Sequence, residues 1–308
     1  MAGNLYLSLC KIHSRALLFP KRFLSPSIIL QEIQHRNAST SEDELNVKYL
    51  EGDDEGIVVF GLNRPAAKNA VSRNLLKMLE DGLGAVRYDK NVRSLIIKSD
   101  VPGIFCAGAD LKERVTFSPK EVAAFVDGVR KLTMDISNMP MPVIAAMDGT
   151  AVGGGLEFAL ACDMRTSTTK TQLGLVETRL AIIPGGGGTQ RLARLVGSAL
   201  AKELIFTARV FNGAEAARMG IVNHAVEQDE SNEAAYKKAL DIAREIIPQG
   251  PIAVQMAKLA INKGMEVDLT SGLAFEGAYY AQVSNIDFVI HKRDVSNFWL
   301  QCIHRVHF

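Results

Sequence analysis

Apolar positions along the chain follow two alternating periodicities. Gly56–Leu62 (GIVVFGL) and Ser94–Ile97 (SLII) are short, unbroken apolar runs, the pattern of strands buried on both faces. Between them, Ser72 precedes Leu75, Met78, Leu79, Leu83 and Val86 at helical spacing, which predicts a helix opened by that serine. Ser118-Pro119-Lys120-Glu121 carries a cap serine, a proline at the first helical position and a glutamate at the third. That combination predicts a second helix start, with the helix running to about Asn138. Pro142–Met147 and Met164–Thr168 read as a third and a fourth strand, Leu156–Cys162 as an apolar helix, and Ile221–Val226 as a late strand in a region that is mostly helical after Gly187. Strands alternating with helices imply an α/β fold built from βαβ units.

Charge changes the picture mainly at the N-terminus. Residues 1–31 contain Lys11, Arg15, Lys21 and Arg22 but no Asp or Glu, and Glu42, Asp43 and Glu44 then follow one another. A basic, acid-free leader containing serines reads as a mitochondrial transit peptide, with the mature start near Arg36–Ser41 and the matrix as destination. Asn37-Ala38-Ser39 is then no glycosylation site. Over the whole chain, 35 Lys+Arg against 34 Asp+Glu leave a net charge of +1, which argues against a dedicated nucleic-acid coater. Four cysteines with no Cys-x-x-Cys pair give no sign of a disulfide scaffold or a structural zinc site. No apolar run approaches the roughly 18 residues that would span a bilayer.

Several standard sites are missing: the sequence has no phosphate-binding G-x-x-x-x-G-K-[ST], no strand-linked G-x-G-x-x-G and no G-x-S-x-G elbow. Of six histidines, only His224 lies in the predicted core before residue 290, so triad and metal–histidine chemistry are poor fits. What remains is glycine beside carboxylate: Phe105–Glu113 (FCAGADLKE), Gly149–Glu157 (GTAVGGGLE), and Glu177 leading into Pro184–Gln190 (PGGGGTQ). Amides exposed at a helix start are donors for an anion or a developing oxyanion. Glu157 is flanked by Leu156, Phe158, Ala159 and Leu160, and Glu177 follows Gly174-Leu175-Val176. Such apolar surroundings raise a carboxyl pKa toward values useful in acid–base work. A purely structural role would instead pair each glutamate with an arginine, such as Arg165, Arg179 or Arg191.

FCAGADLKE, GGGLEFALACD (Gly153–Asp163) and PGGGGTQRL (Pro184–Leu192), with Asn63-Arg64-Pro65 and Asn69-Ala70, resemble the enoyl-CoA hydratase/isomerase, or crotonase, superfamily from about Val47 to Gln282. The resemblance implies a crotonase-like spiral of ββα turns with a helical C-terminal region, assembled as a homotrimer or a dimer of trimers. It divides the chain into a leader (1–40), a spiral core (41–246) and a helical region (247–308). It implies that the amides of Ala109 and Gly154 hold a thioester carbonyl, and that Glu157 and Glu177 are the catalytic carboxylates sharing a water. Ala66, Ala67, Lys68, Ala107, Gly108, Asp110, Leu111, Lys112 and Gly153 would bind the CoA thioester. No separate cofactor or metal is implied, since coenzyme A belongs to the substrate.

Within the superfamily, the stretches Val101–Arg114, Ala181–Leu192 and Ile261–Leu269 look like a branch acting on 3-methylglutaconyl-CoA, a branched dicarboxylic thioester of leucine breakdown. That branch also implies AU-rich RNA as a partner, through Arg87, Lys90, Arg93 and Lys98, although Asp89 and Asp100 are interspersed among them. Val283–Phe308 departs from the family's ending. It is expected to form a short amphipathic helix that closes the acyl pocket poorly and weakens the trimer. A catalytically silent scaffold is the remaining alternative.

Overall fold

A computed structural model describes residues 43–290, with side chains described through Val283. Its strands are β1 (Leu45–Tyr49), β2 (Ile57–Leu62), β3 (Ser94–Ser99), β4 (Ile104–Cys106), β5 (Val143–Met147), β6 (Thr150–Val152), β7 (Met164–Thr168), β8 (Gln172–Gly174), β9 (Phe211–Asn212) and β10 (His224–Val226). The helices are α1 (Arg73–Arg87), α2 (Leu111–Arg114), α3 (Pro119–Ser137), α4 (Gly154–Ala161), α5 (Gly188–Val196), α6 (Ser198–Phe206), α7 (Gly213–Arg218), α8 (Ala234–Ile246), α9 (Pro251–Gly264) and α10 (Leu269–Ile290).

Two sheets stack through the core, one ordered β1-β2-β3-β5-β7-β10 and the other β4-β6-β8-β9. Each of the pairs β3/β4, β5/β6 and β7/β8 places its first strand in the larger sheet and its second in the smaller, and helices follow each pair. This is the spiral of ββα turns expected from the family resemblance. Only the end strands run antiparallel, β1 against β2 and β9 against β8; the interior strands are parallel.

The larger sheet is covered on both faces, which is why its central strands β2, β3 and β5 carry unbroken apolar runs. Val58, Phe60, Leu95 and Ile97 face a core shared with Leu75, Leu79 and Leu83 of α1. Ile57, Val59, Ile96 and Ile144 face the other way, against Ala239 and Ala243 of α8, whose i, i+4 alanines bring the helix close to the sheet. Ser72 caps α1 by accepting from Leu75 N–H. Ser118 and Glu121 form the reciprocal capping box of α3, with Ser118 N–H donating to Glu121 at 2.8 Å.

Three expectations change. The strands β1, β4, β6, β8 and β9 were not legible. Helix α4 opens at Gly154 rather than Leu156. The late strand is confined to His224–Val226, because the amides of Ile221 and Val222 fold back onto Ala216 C=O at the end of α7, where Gly220 turns the chain with φ of 75°. His224 itself is exposed on the edge strand. The leader over 1–40 lies outside the described residues; of the tail expected from Val283, the part through Ile290 continues α10 and 291–308 lies outside them. Among the described residues, no helix is long and apolar enough to cross a membrane.

Candidate active site

Loop 105–110 is held from both sides by the segment before α1. Asn69, fully buried, donates from Nδ2 to Phe105 C=O at 3.0 Å and to Ser99 Oγ at 2.7 Å, and its Oδ1 accepts from Arg64 N–H at 2.7 Å. Ala107 N–H donates to Lys68 C=O and Val71 N–H to Gly108 C=O. The Arg64 guanidinium bridges Glu44 and Asp110, each at 2.6 Å. Asp110 in turn accepts from the amides of Lys112 and Glu113, capping α2.

The consequence is that Ala109 N–H enters no hydrogen bond among the described residues, and neither does Gly154 N–H at the start of α4. The two groups are neighbours: a methyl added at Gly154 would lie 3.5 Å from Ala109 N. Gly108 makes this approach possible. Its φ is +93°, and a side chain there would meet Gly154 N at 3.1 Å. Two unused amides side by side at a helix start form a donor pair for one oxygen.

Both predicted carboxylates flank this pair. Glu157 is 3% exposed and Glu177 is 8% exposed, and both line one cavity of about 490 Å³ with Ala107, Gly108, Ala109, Leu111, Gly153 and Gly154. Glu177 abuts the donor pair, since a methyl at Gly153 would lie 3.4 Å from its Oε1.

Their surroundings differ. Glu157 Oε1 accepts from Gly186 N–H at 2.8 Å and Gly188 N–H at 2.7 Å. A methyl at Gly188 would meet that same oxygen and Leu175 Cδ1, each at 2.9 Å, so the glycine run lets the loop close on the carboxylate. Burial pushes the Glu157 pKa up, while the Gly185, Gly186 and Gly188 amides and the Arg191 charge pull it back. Neither carboxylate oxygen of Glu177 accepts a hydrogen bond from the described residues. Burial first, and the nearby Glu157 second, push its pKa up to about 7. Two carboxyls whose environments separate them in this way can take the base role and the acid role respectively.

The structural alternative does not hold for either glutamate. The guanidinium groups of Arg165, Arg179 and Arg191 donate to backbone carbonyls, of Ile221 and Cys162, of Ala208, and of Gly186 and Thr133 respectively.

The remaining expected substrate contacts divide. Asp110 does not line the cavity; its carboxylate is taken up by Arg64 and the α2 cap. Ala66, Ala67 and Lys68 form a turn beside loop 105–110 without lining the cavity, and the side chains of Lys68 and Lys112 are exposed. The sequence reading missed Arg64, Asn69 and Glu44 as positioning residues. The Asn63-Arg64-Pro65 and Asn69-Ala70 motif is the signal the sequence offers for Arg64 and Asn69. The four cations expected to meet RNA are mostly engaged. Arg87 pairs with Asp135, Arg93 donates to Gln249 C=O, and Lys98 lies between Asp100, Glu233 and the Tyr236 ring. Lys90 makes no ion pair among the described residues.

Residues 52–289 match the family model described as enoyl-CoA hydratase/isomerase. The chain is 60% identical over 242 residues to the mouse protein named methylglutaconyl-CoA hydratase, mitochondrial, covering 79% of this chain and 77% of that one. It is 52% identical over 246 residues to mouse enoyl-CoA hydratase domain-containing protein 2, mitochondrial, covering 80% and 83%. The crystal structure of an enoyl-CoA hydratase from Bacillus anthracis superposes with a TM-score of 0.76 at 40% identity, over 85% of this chain and 96% of that one. With the spiral fold and this extent of match, the chain belongs to the enoyl-CoA hydratase/isomerase family.

Proposed function

We propose that this protein is an enoyl-CoA hydratase, reversibly adding water across the double bond of 3-methylglutaconyl-CoA. The observation that carries the reading is the pair of buried glutamates, one hydrogen-bonded by glycine amides and one not, beside two unengaged amides. In this reading the thioester oxygen accepts from Ala109 N–H and Gly154 N–H. Those donors stabilise the enolate charge that develops there, and removing one such donor typically costs about 3–4 kcal/mol of transition-state stabilisation. A water held between the carboxylates loses a proton to Glu157 as its oxygen bonds to the β-carbon. The π pair moves onto the α-carbon and the thioester, and Glu177 delivers its proton to the α-carbon. The hydroxyl and the hydrogen added to the substrate sum to one water. The proton now on Glu157 leaves, and Glu177 regains one, before the next turnover.

The dicarboxylic substrate is supported by the 60% identity to the mouse relative of that name. A mitochondrial location is supported by the names of that relative and the 52% identical one, and the matrix as destination by the acid-free basic leader. Coenzyme A enters as part of the substrate, with no separate cofactor. Assembly with further copies of this chain, as a homotrimer or a dimer of trimers, is supported by the apolar surface of α9 and α10. Ile261, Met265, Leu269, Leu273 and Tyr280 are each more than half exposed there, apolar side chains that contact with further copies would cover. RNA binding is left outside the proposal, because three of the four expected cations are engaged by the protein itself and phosphate contacts need clustered free ones.

Loss of enoyl-thioester absorbance tests the reading. Hydration of 3-methylglutaconyl-CoA at higher kcat/KM than crotonyl-CoA is the expected result. A large preference for crotonyl-CoA would remove the narrow substrate and keep the reaction. No absorbance loss with either would leave a silent scaffold.

A further inference from the structure

The cavity carries four charged side chains: Glu157, Glu177, Arg114 and Arg130. The glutamates belong to the reaction, which leaves two arginines lining a pocket otherwise walled largely by apolar side chains such as Phe125, Val129 and Phe158. Arg130 is more than half exposed, pairs with Asp127 at 3.0 Å, and donates to Gly185 C=O at 2.9 Å. Arg114 is half-buried and makes no ion pair or side-chain hydrogen bond among the described residues. It shares one face of α2 with Leu111, three positions earlier, and both line the cavity. The helix is fixed in place by the Asp110 cap and its Arg64 partner, so Arg114 is in a set register to the donor amide of Ala109.

We propose that Arg114 is the specificity-determining residue that receives the distal carboxylate of a dicarboxylic enoyl thioester; the inference rests on the substrate class given above. A neutral acyl chain would cover this guanidinium without pairing it, which is unfavourable for a charge leaving water. A carboxylate matches the planar fork of an arginine, with two parallel donors. The spacing fits as well. In an extended five-carbon diacid the distal carboxyl carbon lies about 5 Å from the thioester carbon. Arg114 follows the donor Ala109 by five positions, the last four of them the single turn of α2, and both residues line the same cavity.

The test compares kcat/KM for 3-methylglutaconyl-CoA with that for the neutral analogue carrying a methyl in place of the distal carboxylate. Parent protein, Arg114→Met, Arg114→Lys and Arg130→Met are measured, with thermal midpoints to confirm folding. In Arg114→Met the dicarboxylic-to-neutral ratio is expected to fall about 10- to 100-fold, the range of one charge-assisted contact, and mostly through KM. Arg114→Lys should recover part of the ratio, and Arg130→Met should change it less than about threefold, well under one such contact. A parent preference that survives in folded Arg114→Met overturns this assignment alone. A parent with no preference for the dicarboxylic thioester overturns it together with the substrate reading.

Discussion

Replacing Glu177 by glutamine is expected to stabilise the fold in a pH-dependent way while it removes activity. Burial and Glu157 hold the Glu177 carboxyl at about 7 instead of its ordinary 4.5, so the ionised, folded state carries a penalty of about 3 kcal/mol. Between those two values the native protein binds more protons than the unfolded chain, and stability therefore falls as pH rises through that window, levelling off above it. Glutamine does not titrate and removes this slope. The stability of Glu177→Gln relative to the parent should then grow by about 2–3 kcal/mol from pH 5 to pH 8, or about 4–12 °C in thermal midpoint for a chain of this size. Melting both proteins at the two pH values checks it. A midpoint difference that is the same at pH 5 and pH 8 would refute the claim that Glu177 is a destabilised acid.

Other outcomes follow from the same contacts. Glu157→Gln and Glu177→Gln should each lower hydration turnover about 10²–10⁴-fold while circular dichroism stays native; near-parent rates in both would remove the acid–base assignment. Gly188→Ala places a methyl 2.9 Å from Glu157 Oε1 and Leu175 Cδ1 and should cut kcat well beyond its effect on stability, as read by parallel kinetics and melts. Asn69→Ala strips Phe105 C=O of its donor in the core and should cost about 1–3 kcal/mol, measurable by urea denaturation. RNA retention on an AU-rich column at physiological salt is expected to be absent, since Arg87, Arg93 and Lys98 are already engaged; salt-sensitive retention lost on changing Arg87 and Lys90 would show otherwise.

What the sequence disclosed and what it withheld divide by range. Ile57–Leu62, Ser94–Ser99 and Val143–Met147 lie in a sheet covered on both faces, so their character is written in consecutive residues. The start of α3 is likewise local, because serine, proline and glutamate act within one turn. Strands β4, β6 and β8 have three residues each, too few to show a period, and they exist through pairing with one another across the spiral. The candidate site follows the same division. Apolar neighbours marked Glu157 and Glu177 as costly acids. What offsets the cost of charge on Glu157 is a pair of amides 29 and 31 positions away, and no short window contains that. The family resemblance of segment 107–112 implies Asp110 as a substrate contact; its Arg64 partner, 46 positions earlier, turns it into a support for that loop.

The division of labour between the two carboxyls is tested most directly by the pH profile of kcat/KM for enoyl-thioester hydration. Productive enzyme requires Glu157 ionised and Glu177 protonated, a singly protonated pair. The profile should be bell-shaped, with its alkaline limb falling near pH 7, a value that belongs to the coupled pair. In Glu177→Gln the alkaline limb should vanish along with most of the rate. A hydration rate that stays level from pH 6 to pH 9 in the parent would contradict the account, because Glu177 could not then be the proton donor.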